Sequence, residues 1–293
     1  MKRREVISAM QLREILGRRD GARKVWNFLS LAALMMLALL AIVPLALVFG
    51  HTLRLGLPAL SLDFFTQLPA PVGEMGGGMG NAFLGTLTLL ALAAAIGVPF
   101  GIAMGVFHSE YAHLKLARVT RFCVDLLTSL PSILIGLFTY ALFVMPMKRF
   151  SALAGGFALS LVMLPVVARS SEEILKLVPA HVREAGLALG IPRWKVILRI
   201  LLPGQLRGLT TGVMLAVARA AGETAPLLFT ALNSQFWSTG LDQPISSLPV
   251  QIYTYATSPF EEWQRLAWSG ALVLIVFVFV LNMLTRLLLR RKV

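Results

Sequence analysis

An all-α membrane protein with six transmembrane helices is the fold class this sequence predicts, on three observations. Apolar runs long enough to cross a bilayer recur along its 293 residues. Charged residues make up only 14% of the chain, where a soluble domain carries about 25%. The basic residues gather beside the apolar runs. A net charge of +13 would point to nucleic acid in a soluble protein. Here the positive charge lies where it meets anionic lipid headgroups, so membrane lipid is the expected partner and nucleic acid is not. Cys123 alone forms neither an internal disulfide nor a cysteine metal site, and His51, His108, His113 and His181 show no ligand spacing, so no metal is expected.

A hydrocarbon core of about 30 Å takes about 20 apolar helical residues. Six candidate spans meet that need: 26–50, 81–107, 122–147, 151–168, 204–232 and 266–289. The first follows a charged leader, 1–25, and its apolar stretch is too long for a cleavable signal, so it reads as a retained helix. Residues 51–80 end in "PAPVGEMGGGMGNAF", where no Gly-Lys-Ser/Thr follows the glycines. That run predicts a flexible return into the second helix rather than a phosphate loop. The fourth span is short. Pro131, Pro165 and Pro226 fall in or near spans three, four and five, and each removes a backbone donor and can kink its helix. Residues 233–265 form the other long outside loop. Residues 26–289 make one domain, and 290–293 a tail.

Orientation follows from the basic residues. With the N-terminus inside, 22 of the 27 lysines and arginines are cytoplasmic. Arg54, Lys148, Arg149 and Arg265 are then outside, and Arg219 lies within a span. Cytoplasmic N- and C-termini are therefore predicted.

Between spans four and five lies "RSSEEILKLVPAHVREAGLALGIPRWKVILRILLPGQ", residues 169–205. Pro179 can open a helix, because its missing N–H would go unpaired in the first turn. Residues 180–189 then form a short helix that Gly190 ends in the left-handed conformation, ahead of Pro192. A second segment, 192–202, places Trp194, Ile197, Leu198 and Leu201 on one face and Arg193, Lys195 and Arg199 elsewhere. That pattern suits an amphipathic helix at the membrane interface. At more than 30 residues the loop exceeds the roughly two to eight of ordinary bundle connections. A protruding helix here could transmit force from a soluble partner.

These residues carry a resemblance. "EAGLALGIPRWKVILRILLP" is similar to the signature loop of binding-protein-dependent ABC importer permeases: Glu-Ala-Ala, three residues, Gly, nine residues, Ile, one residue, Leu-Pro. Glu184, Ala185, Gly190, Ile200, Leu202 and Pro203 occupy the signature positions, and Gly186 stands where alanine is usual. That glycine weakens the helix by about 0.5–1 kcal/mol. The segments "RAAGETAPLLFTALNSQFWS", "QPISSLPVQIYTYATSPFEEWQRLAWSG", "NAFLGTLTLLALAAAIGVPFGI" and "LPSILIGLF" further resemble the phosphate-importer permeases of the PstA type. The resemblance implies a MetI-like ABC importer permease fold in a bacterial inner membrane. It implies a coupling helix over 179–190, centred on Glu184, within the cytoplasmic coupling loop 169–203. The implied partners are a pair of cytoplasmic ATPase subunits, a second related permease and an extracytoplasmic phosphate-binding protein. ATP and Mg would be held by the ATPase, this chain binding no cofactor and performing no catalysis, and loops 51–80 and 233–265 would meet the binding protein.

The stretch "AVARAAGETAPLLF" puts Arg219 about 15 residues into the predicted span 204–232, roughly 22 Å along its axis. An arginine near the bilayer centre costs about 2.5–3.5 kcal/mol on insertion scales, so it must face a protein interior or a water-filled path. Glu223, at i+4, is expected on the same helical face. Two readings stay open. The pair neutralises itself, although Arg before Glu is the weaker order and a buried pair does not reliably recover its desolvation cost. Or Arg219 offers a permanently charged fork to a passing phosphate, with Glu223 moderating the attraction so that the anion leaves again. Arg169, at the end of span four, is either a positive-inside anchor or a second anion contact. The resemblance implies that arginines at the positions of Arg169 and Arg219 matter for transport. The alternatives are a permease for another oxyanion such as sulfate or molybdate, an ion-driven transporter using Glu223 and Asp125 as proton carriers, and an added role in signalling phosphate supply.

Overall fold

In the computed structural model the backbone is described for residues 2–71, 74 and 76–290, and side chains from residue 23 onward apart from 286 and 288–290. Every regular element among the described residues is helical. The chain divides into two units, residues 1–54 and 55–293. The first is one helix: α1 (Lys2–Gly56) runs through the charged leader into the apolar span without a break, Pro44 included. Its large apolar side chains between 25 and 49 are exposed, as lipid-facing groups are.

In the second unit a short α2 (Leu62–Thr66) precedes α3 (Gly80–Glu110). Then come α4 (Lys115–Ser129), α5 (Ser132–Thr139) and the single turn α6 (Met145–Met147), α5 and α6 being joined by a π-helical turn. The long α7 (Ala152–Lys176) is followed by α8 (Ala180–Ala188), α9 (Arg193–Val196) and α10 (Leu202–Gly204), with a second π turn over Ile197–Leu201. α11 (Leu206–Ala221), α12 (Ala225–Leu228), α13 (Leu248–Ala256) and α14 (Glu261–Arg290) complete the order.

Four of these helices are long and apolar enough to cross a membrane, and two bent pairs raise the number to six if each pair is one span. The expected third span, 122–147, is such a pair: α4 and the α5–α6 segment meet at 107°. Pro131 sits in that break and precedes the first residue of α5. The expected fourth span, 151–168, is too short a reading, because α7 continues to Lys176 and Pro165 lies buried inside it without ending it. The fifth, 204–232, is not one helix. α11 stops at Ala221, and the 193–204 segment meets it at 74°. Gly222 ends α11, and Pro226 occupies the first turn of the four-residue α12, where its missing N–H costs nothing.

The core is a seam between α3 and α7. Gly97, Gly101 and Gly105 repeat every four residues on α3 and are buried. A Cβ on Gly101 would lie 2.7 Å from Val167 Cβ, and one on Gly105 would lie 2.4 Å from Ser171 Cβ. Small residues at this spacing let two helix backbones approach closely, the usual device for packing helices in lipid, where hydrophobic burial supplies little drive. Gly155 and Gly156 on α7 answer with the same closeness to Leu89 and Leu92. Ser151 caps α7 by accepting from Ala154 N at 3.2 Å, and the amides of Ala152 and Leu153 bond to the carbonyls of Gln243 and Leu241.

Gly77, Gly78 and Gly80 also serve close approach. Gly78 N donates to Leu68 O at 3.0 Å and Met79 N to Phe64 O at 2.8 Å. A Cβ on Gly78 would lie 2.3 Å from Asp63 O. Within the expected return into the second helix, residues 78–80 are thus bonded to the end of α2 and the residues just after it.

Candidate functional site

The 169–205 segment folds as an elbow. Pro179 precedes α8, which runs to Ala188, and Gly190 takes a left-handed φ of +72°. Ile191 N donates to Gly186 O and Gly190 N to Leu187 O, the two bonds of a Schellman termination. Gly186 is buried, and a Cβ there would lie 2.9 Å from Val196 Cγ2. The glycine in place of the signature alanine therefore lets α8 lie close against α9. Glu184, Ala185, Leu187 and Leu189 face outward. In the second arm the expected apolar face is divided. Val196, Ile197 and Leu201 are buried, whereas Trp194 and Leu198 are exposed. The π turn that begins at Ile197 changes the helical phase along this arm.

Two buried carboxylates anchor this elbow and the ends of α3, α4 and α7. Glu110, the last residue of α3, accepts from Arg183 Nε of α8 at 2.8 Å. The same guanidinium donates to Val178 O at 2.6 Å and Leu175 O at 2.8 Å, satisfying carbonyls at the C-terminus of α7. Arg193 of α9 donates to Glu110 O, approaches its carboxylate at 3.8 Å, and lies over the Tyr111 ring. Glu172, on α7, is only 1% exposed and gathers basic side chains from three elements. Arg121 of α4 reaches it at 2.8 Å, His108 of α3 at 3.5 Å and Arg169 at 3.8 Å, and Lys176 donates to it one turn on. His108 Nε2 also pairs with Thr120 Oγ1 at 2.9 Å.

Arg169 is thus tied on two sides, its second contact being Asp125 at 3.5 Å. It stays half exposed. Arg219 differs. It lies in the last turn of α11, about half exposed, with Glu223 Oε1 4.0 Å from its Nε. That is too long for a hydrogen bond, and among the described residues none reaches the guanidinium. The expectation that Arg219 and Glu223 share one helical face is corrected, since Glu223 lies beyond the end of the helix.

The 233–265 loop is only partly a loop. α13 lies within it and is largely buried, with Gln251 and Tyr255 enclosed. Ser246 Oγ pairs with Gln251 Oε1 at 3.1 Å, and burial pushes the Tyr255 phenol above its ordinary range, which keeps it a neutral hydroxyl. Phe236, Trp237 and Leu241 are exposed, as are Tyr253 and Phe260 further along the segment.

Comparison with known proteins now bears on this geometry. The profile of the binding-protein-dependent transport system inner membrane components matches residues 97–293. The chain belongs to this family. Among its relatives, a Yersinia pestis protein named phosphate transport system permease protein PstA is 44% identical over 282 residues, 96% of each chain. A Haemophilus influenzae protein of the same name is 44% identical over 272 residues, 92% of this chain and 96% of that one. One from Xylella fastidiosa is 49% identical over 241 residues, 81% of this chain and 84% of its own. In fold, the inner membrane component is similar to a chain of the MetNI methionine ABC transporter in inward-facing conformations. The TM-score is 0.58 at 20% identity, covering 72% of this chain and 96% of that chain. An amino acid ABC transporter gives 0.52 at 17% identity, over 72% and 92%. The all-helical, MetI-like permease fold expected from the sequence is the fold observed.

For this family member, sequence reasoning singled out the elbow and Arg169 but passed over both anchors. Glu172 was within reach, because Arg169, Glu172 and Lys176 stand at i−3 and i+4 on one face, a local charge pattern. Glu110 gave no local signal. Its partners are 73 and 83 residues away in the chain.

Proposed function

We propose that this chain is the membrane-spanning permease subunit of an ATP-driven inorganic phosphate importer in a bacterial inner membrane, with both termini cytoplasmic. The observation that carries the reading is the 184–203 signature, folded as an exposed helical elbow in a chain whose full-length relatives bear the name phosphate transport system permease protein. Energy would come from a cytoplasmic ATPase dimer that holds ATP and Mg. This chain supplies the elbow, with Glu184, Ala185, Leu187 and Leu189 on its outer face as the docking surface. Gly186 belongs to its inner support, while Pro203 lies exposed in the first turn of α10. A second, related permease would complete the path, and an extracytoplasmic binding protein would deliver the anion to the exposed parts of 51–80 and 233–265.

Arg219 would contact phosphate in transit. A guanidinium without a hydrogen-bonded partner among the described residues, at the end of a helix that stops inside an apolar segment, offers its donors in a fork that fits a phosphate face. Glu223, close but unbonded, lowers the local positive potential so that the anion is released. Arg169, held by Asp125 and Glu172 with half its surface open, would form the next contact. Pro131 and Pro226 mark the two breaks that let short helix ends point at a path, while Pro165 stays within a continuous helix. The pairing of Asp125 with Arg169, and the approach of Glu223 to Arg219, count against these carboxylates as free proton carriers.

The test is reconstitution of the purified complex in proteoliposomes with ATP inside and labelled phosphate outside. ATP-dependent accumulation that excess unlabelled phosphate suppresses, and excess sulfate or molybdate does not, is the expected result. Suppression by sulfate or molybdate would reassign the substrate. Uptake that needs an ion gradient rather than ATP would overturn the assignment.

A further inference from the structure

We infer that Glu110 is the positioning residue through which the elbow moves the α3–α7 pair, an inference that rests on the transport reading above. The chain itself joins the elbow to α7 only through residues 177–179 and gives it no direct link to α3. Glu110 makes that link. It is almost wholly buried, and it receives Arg183 from α8 and Arg193 from α9, so both arms of the elbow are tied to the end of α3. Arg183 extends the tie to α7 through Leu175 O and Val178 O. One guanidinium therefore spans α3, α7 and α8.

The electrostatics make the tie hard to open. A carboxylate at a helix C-terminus sits at the negative end of the helix dipole, and burial adds a desolvation cost. Both penalties are offset only while the arginines stay in place. If a partner displaced the elbow without carrying α3 along, a buried charge would be left unpaired. Moving the two together avoids this. Because Gly97, Gly101 and Gly105 seat α3 against α7 with almost no space between backbones, α3 and α7 then travel as one body. α8 thus has two separate faces: Glu184, Ala185 and Leu187 outward, Arg183 and Gly186 inward.

The test compares Glu110→Gln, Arg183→Gln and the double variant in the reconstituted complex, measuring ATP hydrolysed and phosphate accumulated in the same vesicles. Each single variant is expected to keep hydrolysis near the wild-type rate while phosphate accumulated per ATP falls about five- to tenfold, the usual scale of a coupling between sites. The double variant should fall well short of the product of the two losses, because both substitutions break the shared Glu110–Arg183 contact. An unchanged ratio in either single variant overturns the inference, as does a double variant whose loss is the product of the two. Variants that no longer co-purify with the ATPase overturn it as well, since Glu110 would then serve assembly. A wild-type complex that accumulates no phosphate with ATP would instead sink the transport reading, a result these variants cannot mimic.

Discussion

Arg219 and Glu172 show how differently two charged side chains are treated in one apolar protein. Glu172 is enclosed and faced by cations from α4 and its own helix, with His108 of α3 beside it. Replacing it with glutamine leaves Arg121, Lys176 and Arg169 without their shared counter-charge. These cations keep a quarter to half of their surface in solvent, so the cost falls below the roughly 3–5 kcal/mol of breaking a fully buried pair from one side. Glu172→Gln should therefore lower the thermal unfolding midpoint of the purified protein in detergent, and a midpoint equal to wild type would show that the cluster is not stabilising. Arg219 is half exposed, with no hydrogen bond among the described residues and a carboxylate 4.0 Å away. Little of the fold depends on it. Arg219→Gln should leave the unfolding midpoint and co-purification with partners unchanged while abolishing phosphate accumulation. Accumulation at the wild-type level would remove the guanidinium from the path. The two substitutions thus separate a charge expected to hold the protein together from one proposed to act on cargo.

At the scale of elements, glycines give the sharpest contrasts. Gly105 sits in the α3–α7 seam, where an added methyl would meet Ser171 Cβ at 2.4 Å and Ala168 O at 2.8 Å. Gly204 has nothing within 4 Å of the same position. Gly105→Ala is expected to destabilise by about 1–3 kcal/mol, the cost of overpacking, whereas Gly204→Ala should be neutral or stabilising by up to about 1 kcal/mol. Chemical denaturation of the two variants side by side checks the difference, and equal midpoints would show that the seam yields. Gly190 also has open space around it, but its φ of +72° makes Gly190→Ala cost roughly 1–2 kcal/mol through the backbone alone. This last position was readable in advance, because a short helix followed by Gly and then Pro states its own termination. The helix breaks were harder. Gly222 and Pro226 interrupt a segment whose apolar pattern reads straight through from 204 to 232, and hydropathy registers composition rather than the missing donor at Pro226. The seam itself, Gly97, Gly101 and Gly105, is plain in the sequence only once its partner helix is known. Glu110 could not be found locally at all, since its arginines arrive through tertiary packing.

For the whole molecule, the arrangement of charge sets the sidedness on which every assigned role depends. In the proposed assembly the elbow would face the ATPase, and the exposed part of 233–247 would face the binding protein. If 22 of 27 basic residues report the cytoplasmic side, the elbow at Leu189 and the tip at Phe236 lie on opposite faces of the membrane. Both side chains are well exposed, at 79% and 74%, so a cysteine at either is open to a water-soluble reagent. Cys123 is the only native cysteine, and Cys123→Ser gives a background for single-site labelling. In intact spheroplasts a membrane-impermeant maleimide should then label Phe236→Cys and spare Leu189→Cys, and inverted vesicles should reverse the pattern. Labelling of both sites from one side would place the elbow and the tip together. The docking of an ATPase at α8 and of a binding protein at 233–247 could not then both hold. The reversed pattern would put the elbow outside, away from ATP, and would leave the bends of α4–α5 and α10–α11 without an engine to move them.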